Sequence, residues 1–464
     1  MRVWMITGFL FIASAAIAQT TPVPEPVAAD APWEIPPDEK IRQMLAERVQ
    51  VKGAGAVIGV IEPAGRRVIT HGNEVDGNTI FQIGSVTKTF TALLLADMVV
   101  RGEVALDDPA SKYLWRGARM PERGRPITLQ DLATHVSGLP SMPTNFPLRA
   151  DPDPIAAYTP KLLNQFLATH ELDRAPGEKW AYSNLGVSLL GRLLAQLAGT
   201  NYEALLKQRV LDPLGLRDTS ISLSKDQARR LATGLDRYGN PAAIWEMRTL
   251  QASGSLRSSA NDLLEFLSVY LGKRETALSR AIELQLSVRA PVRNAQALGW
   301  GTGTVEGREI FAHEGGKPGY RAFVAFDRVK QRGVVVLVNA NIELRPSLIG
   351  AWIMTGQKLP LARDAPAPRI AATVDRKTLD SCEGRYQLDS GRVLTVVRKD
   401  DHLVTDTTGG GPQLFLPAGA RDFFEPSAGE ELSFTADENE RVTSVIVFPR
   451  GRDAGGLVTG KRLP

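Results

Sequence analysis

Apolar residues form short runs at the two ends of a long central region and longer runs between them. Residues 56–62 and 66–71 are strand candidates joined by the turn Pro63-Ala64-Gly65, which predicts a hairpin. Three further strand candidates, rich in β-branched and aromatic residues, close the region: residues 309–313, 321–327 and 333–339. The region therefore begins and ends with β structure.

The middle of this region has the periodicity of helices. Residues 86–100 are largely apolar, and a second helix is predicted to end before Gly199. Leucines repeat every four residues along it: Leu185, Leu189, Leu193 and Leu197. Strands at both ends with helices between them predict an α/β fold in which the first and last strands share one antiparallel sheet flanked by helices.

Proline-rich segments divide the chain. Residues 19–38 and 359–372 are rich in proline and alanine, a composition that blocks regular hydrogen bonding and is typical of linkers. Between them lies a predicted domain of residues 39–358. Residues 373–464 contain short alternating runs broken by glycine, aspartate and proline, which predicts a small all-β barrel or sandwich domain.

Residues 1–18 have the pattern of a secretory signal peptide. Arg2 precedes an apolar stretch over residues 3–12, and Ala16-Ile17-Ala18 is a small-residue cleavage site. An uncleaved anchor is the alternative, but the stretch is shorter than the roughly 20 residues that a spanning helix needs. We predict export to the periplasm or the medium, with a mature chain that starts at Gln19 and has no transmembrane segment.

Composition narrows the class of function. Hydrophobic residues make up 43% and charged residues 23% of the 464 residues, which argues against disorder and for a sizeable core. The net charge of +4 arises from 55 basic and 51 acidic residues without a long basic run, so nucleic acid binding gains no support. Cys382 is the only cysteine, which excludes an internal disulfide and any CxxC motif.

A serine and a lysine three residues apart stand at the start of the first apolar helix. Ser85 and Lys88 follow a strand candidate at residues 79–83, and their spacing puts them on one helical face, about 5–6 Å apart at Cβ. A buried lysine can lose its proton and activate the hydroxyl, and the helix N-terminus offers N–H groups to an oxyanion. The same spacing recurs at Ser222 and Lys225, in a polar stretch where we interpret it as coincidence.

Tyr182, Ser183 and Asn184 follow a turn at residues 175–178 and directly precede the leucine-rich helix. A phenol beside a lysine can be driven toward phenolate, which gives a base for the attacking hydroxyl and an acid for the leaving group. The alternative is structural, with Ser183 or Asn184 as a helix cap and Tyr182 as a packing residue. The upstream serine and lysine favour the catalytic interpretation.

A third motif, His313-Glu314-Gly315-Gly316, ends a strand candidate. Glycines at a sheet edge let a substrate backbone approach closely, and the Gly316 N–H is a candidate oxyanion donor. Metal binding is disfavoured because neighbouring side chains on a strand point to opposite faces. No cofactor is expected, since backbone N–H groups are enough to stabilise an oxyanion.

The order of the three motifs, S-x-x-K, Y-x-N and H-x-G, resembles the serine β-lactamase and penicillin-binding-protein superfamily. The resemblance is greatest to class C β-lactamases and their relatives, which include D-alanyl-D-alanine peptidases and β-lactamase-like esterases. It extends over residues 56–351 and is densest at residues 81–114, 127–140 and 175–191. It implies a β-lactamase-like fold with an all-helical subdomain, and an enzyme that acts on a small-molecule or peptide substrate.

The resemblance also implies roles for individual residues. Ser85 would form the acyl-enzyme, Lys88 and Tyr182 would transfer protons, and Asn184 would hydrogen-bond the substrate amide. The N–H groups of Ser85 and Gly316 would form the oxyanion hole.

One departure from the family pattern concerns the third motif. Where class C β-lactamases carry Lys-Thr-Gly, this chain has His313-Glu314-Gly315, which replaces a permanent cation with a largely neutral histidine. Lys317 is expected to restore part of the positive field. Efficient β-lactam hydrolysis and esterase activity therefore both stay open, as does a non-catalytic penicillin-binding sensor.

A Ser-His-Asp triad is the main chemical competitor. No G-x-S-x-G motif is present to support it. His135 is accordingly interpreted as a hydrogen-bonded structural residue, and Trp300 as either a packing or a cleft-lining residue.

Overall fold

The structure, a computed structural model, describes most of the chain from Trp33 onward. Within residues 33–464 it leaves out 73, 148–152, 154, 294, 343, 362–368, 409, 427–428 and 450–455. The predicted signal peptide and the greater part of the first linker lie outside the described residues. Among the residues that are described, no helix is long and apolar enough to cross a membrane.

Eight strands belong to the central region. They are β1 (Ala56–Glu62), β2 (Gly65–His71), β3 (Ile80–Gln82), β4 (Arg257–Ser259), β5 (Gly301–Val305), β6 (Arg308–Lys317), β7 (Tyr320–Asp327) and β8 (Arg332–Val338). Six of them form one sheet in the order β2-β1-β8-β7-β6-β5, and β3 pairs with β4 separately. Ala56 lies opposite Val338 in an antiparallel ladder, so the predicted pairing of the first and last strands is confirmed.

Twelve helices accompany these strands in the described part of the chain. They are α1 (Asp38–Arg48), α2 (Thr87–Val100), α3 (Leu129–Ala133), α4 (Pro160–Thr169), α5 (Asn184–Leu197), α6 (Tyr202–Leu206), α7 (Asp212–Leu214), α8 (Lys225–Arg229), α9 (Ala260–Tyr270), α10 (Ser279–Ser287), α11 (Pro346–Thr355) and α12 (Arg376–Ser381). Helices α2 to α8 lie between β3 and β4 in the chain, as the implied helical subdomain requires.

Helices cover both faces of the six-stranded sheet, which explains the unbroken apolar sequence of β1. Val57 and Ile61 pack into one core with α2, α9 and α10, whereas Ile58 and Val60 pack into a second core with α1 and α11. Alternating residues of a strand point to opposite faces, so a strand covered on both sides is apolar throughout. The sheet is therefore the rigid centre that carries the site.

The last part of the chain is a closed antiparallel barrel. Its strands are β9 (Gly384–Leu388), β10 (Val393–Lys399), β11 (His402–Thr407), β12 (Gly411–Pro417), β13 (Asp422–Phe424), β14 (Glu431–Ala436), β15 (Val442–Phe448) and β16 (Val458–Arg462). Pairing of β16 with β9 closes the barrel, so the predicted all-β barrel is confirmed. Its core, which includes Phe415 and Tyr386, is separate from the two cores of the central region.

One end of the barrel contacts the central region. The ring of Tyr238 meets the ring of Phe424 edge to face at 5.5 Å, and the Arg237 N–H donates to the carbonyl of Pro426 at 3.3 Å. Gly411 lies against Met142, close enough that a Cβ on this glycine would be 3.1 Å from the Met142 side chain. The barrel thus rests beside the loop between α3 and α4, in which the carbonyl of Ser141 accepts from the N–H groups of Asn184 and Leu185 at the start of α5.

Candidate active site

Ser85 lies where a short strand turns into a buried helix. It follows β3 and Gly84, whose φ of +49° suits glycine, and it sits in a single 3₁₀ turn directly before α2. Lys88 is fully buried in the first turn of α2, and its amine is 3.0 Å from the Ser85 hydroxyl oxygen. The three-residue spacing therefore joins the two side chains as the sequence predicts.

The amine of Lys88 has two further hydrogen-bond partners. It donates to Asn184 Oδ1 and to the carbonyl of Ser253, each at 2.7 Å. Burial, and after it the charge of Lys317, lower the pKa of Lys88 well below its ordinary value. A neutral amine has two N–H groups and one lone pair, so it can donate to both carbonyl oxygens and still accept the proton of the Ser85 hydroxyl.

His135 holds the loop that carries Tyr182. The Ala181 N–H donates to the carbonyl of His135 at 2.8 Å, and the Ser183 N–H donates to its Nδ1 at 3.2 Å. The imidazole also packs against the Tyr182 ring, with centroids 4.5 Å apart. Burial lowers the pKa of His135 well below its usual range, so the ring is neutral and Nδ1 stays an acceptor. This geometry is that of the structural histidine predicted from the sequence.

The phenol of Tyr182 is protonated, whereas the sequence predicts a group driven toward phenolate. Burial raises the pKa of its phenol above the ordinary value, although a hydrogen bond with Ser85 acts in the opposite direction. The amine of Lys88 lies 4.8 Å from the centre of the ring. Because that lysine is readily neutral, it does not drive the tyrosine toward phenolate, and the phenol is present as a proton donor.

Ser183 and Asn184 start helix α5, as the structural alternative proposed. The Ser183 hydroxyl accepts from the Gly186 N–H at 2.8 Å and donates to the carbonyl of Pro140 at 2.6 Å. Asn184, the first residue of α5, turns its side-chain oxygen to Lys88. Capping by Ser183 therefore coexists with a tyrosine and an asparagine that reach the serine–lysine pair.

Strand β6 supplies an open edge opposite Ser85. It runs through the third motif to Lys317 instead of ending at His313, and β5 pairs with it only as far as Ala312. Lys317 and Tyr320 flank a two-residue turn and exchange backbone hydrogen bonds, so alternation directs the N–H and C=O of Gly316 to the unpaired edge. The backbone of Gly316 therefore faces the cleft.

Two glycines let this edge approach the serine. A Cβ on Gly315 would lie 1.9 Å from the carbonyl oxygen of Ile83 and 3.0 Å from the backbone nitrogen of Ser85. A Cβ on Gly84 would lie 2.7 Å from the nitrogen of Gly316. Only glycine fits at either position, and the backbone of Gly315 and Gly316 is thereby brought close to that of Gly84 and Ser85.

This packing makes a prediction about two adjacent glycines. We expect Gly315→Ala to lower kcat/KM at least about 100-fold and to lower Tm, since its Cβ meets backbone and displaces the edge from Ser85. Gly316→Ala is the matched control, because its Cβ would approach a side chain instead of backbone, the guanidinium of Arg321 at 3.1 Å. Thermal melts and turnover would check both variants, and equal losses in the two would contradict this account.

The remaining residues of the third motif point in different directions. His313 is buried towards Lys88, and burial followed by the Lys88 charge lowers its pKa to about 3. Glu314 lies on the opposite face, where the Ser347 hydroxyl donates to it at 2.9 Å. The negative charge that the sequence places beside His313 is thus turned away from the cleft, and the histidine is neutral.

Other residues singled out in the sequence lie outside this cluster. Ser222 and Lys225 are exposed, and the Ser222 hydroxyl donates to Glu203 at 2.7 Å. Trp300 is fully buried and packs against the rings of Tyr270 and Phe326 at 5.3 and 5.2 Å. Of the two roles considered for Trp300, the structure therefore shows packing.

The fold and the serine–lysine pair at the head of a buried helix define a serine hydrolase. A family model described as beta-lactamase matches residues 38–352, more than half of the chain. The chain therefore belongs to the beta-lactamase family.

Curated relatives agree with this assignment. The chain is 32% identical over 314 residues to the D-alanyl-D-alanine-carboxypeptidase/endopeptidase AmpH of Escherichia coli strain K12, a match that covers 62% of this chain and 80% of the relative. It is 29% identical over 331 residues to a beta-lactamase of Pseudomonas fluorescens, covering 62% and 89% of the two chains. Penicillin-binding protein 4* of Bacillus subtilis is 25% identical over 411 residues and covers 82% of this chain and 88% of its own.

Solved structures show the same fold. A beta-lactamase/D-alanine carboxypeptidase from Yersinia pestis superposes with a TM-score of 0.57 at 25% identity, covering 65% of this chain and 92% of that one. An octameric penicillin-binding protein homologue from Pyrococcus abyssi superposes with a TM-score of 0.59 at 23% identity. That match covers 91% of this chain and 99% of the other, so the likeness in fold includes the barrel.

Two contributions to the site have no signal in the sequence motifs. The carbonyl of Ser253 comes from a 3₁₀ turn far from Ser85 in the chain, and a backbone group leaves no trace in residue type. His135 is predicted to be structural, but the sequence does not show that it holds the Tyr182 loop, and its backbone is left-handed, with a φ of 63°. Such a conformation is uncommon for histidine and is not predictable from its neighbours.

Proposed function

We propose that this serine hydrolase acts through a Ser85 acyl-enzyme on β-lactam or D-alanyl peptide amide bonds. The observation that carries the proposal is the environment of Lys88. Its amine donates to two carbonyl oxygens and lies beside the Ser85 hydroxyl, and its pKa is lowered. These features make a neutral lysine available as the base. The names of the relatives, a carboxypeptidase and a beta-lactamase among them, support this class of substrate.

The geometry supports the following sequence of steps. Lys88 takes the Ser85 proton while the serine oxygen attacks the carbonyl carbon, and the N–H groups of Ser85 and Gly316 stabilise the oxyanion. The phenol of Tyr182 gives its proton to the leaving nitrogen and regains one from the Lys88 ammonium. Water then attacks the acyl carbon and gives its proton to Lys88. The bond between the acyl carbon and the Ser85 oxygen breaks, and the Lys88 ammonium returns the proton to that oxygen.

Esterase activity is a second candidate, and His313 favours it. A neutral imidazole replaces the lysine that a substrate carboxylate would meet in class C β-lactamases, so small uncharged esters lose little by the exchange. Asn184, which is held by Lys88, can hydrogen-bond a peptide or lactam amide more usefully than an ester. The two candidates therefore share one machinery and differ in substrate recognition.

Substrate ranking tests the proposal. We expect the protein that starts at Gln19 to hydrolyse nitrocefin with a kcat/KM at least about tenfold above that for nitrophenyl butyrate. The reason is that Asn184 can hydrogen-bond an amide of the substrate, which the ester lacks. Steady-state turnover of both compounds, with Ser85→Ala as the blank, is the measurement. A reversed ranking would assign the same machinery to esters and reject the amide preference.

A further inference from the structure

Lys317 is a buried cation on the cleft face of β6 that the catalytic steps do not use. Side chains alternate along a strand, so Lys317 shares a face with Gly315, the residue whose Cβ would lie 3.0 Å from the Ser85 nitrogen. Only 7% of Lys317 is exposed. Its ammonium group is therefore directed to the serine side of the strand and is largely removed from water.

Few hydrogen-bond acceptors among the described residues surround the ammonium group of Lys317. Within the part of the chain that the structure describes, its amine has one hydrogen-bond partner, the carbonyl of Trp245 at a long distance of 3.4 Å. Asp153 lies nearby and favours the charged form, but its carboxylate accepts backbone N–H groups from Ile155, Ala156 and Glu246. Burial is the largest influence and lowers the pKa of Lys317 to about 7. An ammonium has three N–H donors, so an anion in the cleft could accept hydrogen bonds from the donors that do not reach the Trp245 carbonyl.

The position of Lys317 along β6 decides which part of a substrate would reach it. Tyr182 lies at the His313 end of the open edge, since Glu314 acts electrostatically on Tyr182, and His135, on which His313 acts, packs 4.5 Å from the Tyr182 ring. Lys317 lies four positions beyond His313, about 13 Å along the strand. The leaving group must lie beside the proton donor, Tyr182. The acyl group then extends the opposite way along the edge, past Gly316 and towards Lys317.

We propose that Lys317 is a specificity-determining residue that binds an anionic group, such as a carboxylate, on the acyl side of the substrate. This inference rests on the proposed function, because it takes Ser85 as the acylated residue and Tyr182 as the donor to the leaving group. The preferred substrates are acyl compounds that carry a carboxylate a few bonds from the scissile carbonyl. The replacement of a lysine by His313 at the leaving-group side is thus matched by a cation on the acyl side.

Two pairs of substrates that differ only in the acyl-side carboxylate test this inference. Nitrophenyl hydrogen glutarate and nitrophenyl valerate have acyl chains of equal length, and carbenicillin differs from benzylpenicillin by a side-chain carboxylate. We expect wild-type kcat/KM, or the rate of Ser85 acylation, to favour the anionic member at least about tenfold. Lys317→Met should remove that preference, and Lys317→Arg should retain most of it.

The readout is the ratio of the two rates within each pair, because any effect of Lys317 on the shared machinery cancels in it. Lys330→Met is the control, since Lys330 is an exposed lysine on the next hairpin of the same sheet. A wild-type ratio near one, or an anionic preference that survives in Lys317→Met, would overturn the inference. Acylation that persists in Ser85→Ala would instead overturn the proposed function, so the two failures are distinguishable.

Discussion

Ser85→Ala is expected to abolish acyl-enzyme formation and to lower kcat/KM for nitrocefin by about 10⁴-fold or more, because alanine has no nucleophilic oxygen. Ser85 is partly exposed at the mouth of the cleft and belongs to no hydrophobic core, so the variant keeps its fold. Labelling with a fluorescent penicillin, followed by mass spectrometry of the labelled peptide, measures the first effect. Steady-state turnover measures the second.

The chain offers a matched control for this substitution. Ser222 stands at the same spacing from Lys225 as Ser85 from Lys88, yet it is exposed and bonded to Glu203. Ser222→Ala should be labelled at the wild-type rate. If instead Ser85→Ala were labelled normally, another residue would have to be the nucleophile.

Replacing Lys88 should have the second largest effect. We expect Lys88→Met and Lys88→Arg each to slow acylation by about 10²–10⁴-fold, the range for loss of a general base. Methionine has no proton acceptor, and arginine cannot lose its proton at any usual pH. The rate of penicillin labelling measures the loss, and Lys225→Met serves as the control.

The two Lys88 variants separate proton transfer from charge. If the lysine acted only through its positive charge, Lys88→Arg would acylate nearly as fast as the wild type while Lys88→Met would not. Circular dichroism melts of both proteins establish that the buried helix start is still folded. Rapid acylation of a folded Lys88→Arg protein would therefore refute the role of Lys88 as base.

The pH dependence of acylation follows from the same residue. Only the neutral amine accepts a proton, so kcat/KM rises with pH as Lys88 deprotonates. Burial and the Lys317 charge hold the pKa of Lys88 well below 10.5, which places the rising limb well below that pH. Lys317→Met removes one of these two influences and should move the limb to higher pH. A limb that stays in place would mean that another group titrates.

Much of the fold is predictable from the sequence because its signals are local. The apolar run of β1 ends at Glu62 in the structure as in the prediction, and the leucine repeat marks α5 up to Leu197. The strand at the third motif runs past its predicted end at His313 to Lys317, since glycines weaken the strand pattern there. Packing against β7 and the Ser85 loop overrides that local preference.

For the site, the sequence by itself determined which residue types lie close together along the chain. A three-residue spacing in a helix places Lys88 beside Ser85 whatever the rest of the fold does, and the resemblance adds Tyr182 and Gly316. What the tertiary structure decided is their protonation. The pKa of Lys88 is lowered and that of Tyr182 raised mainly because residues distant in sequence bury them.

Strand alternation puts neighbouring side chains on opposite faces, but the fold decided which of those faces is the cleft. The sequence puts a carboxylate next to His313 and a lysine four residues on, but strand alternation sends Glu314 to α11 and keeps Lys317 on the cleft face. Desolvation and the direction of a side chain depend on how the sheet, α2 and α5 pack together. Residue identity and spacing carry the chemistry of this protein, whereas the burial that tunes each group arises only once distant segments meet.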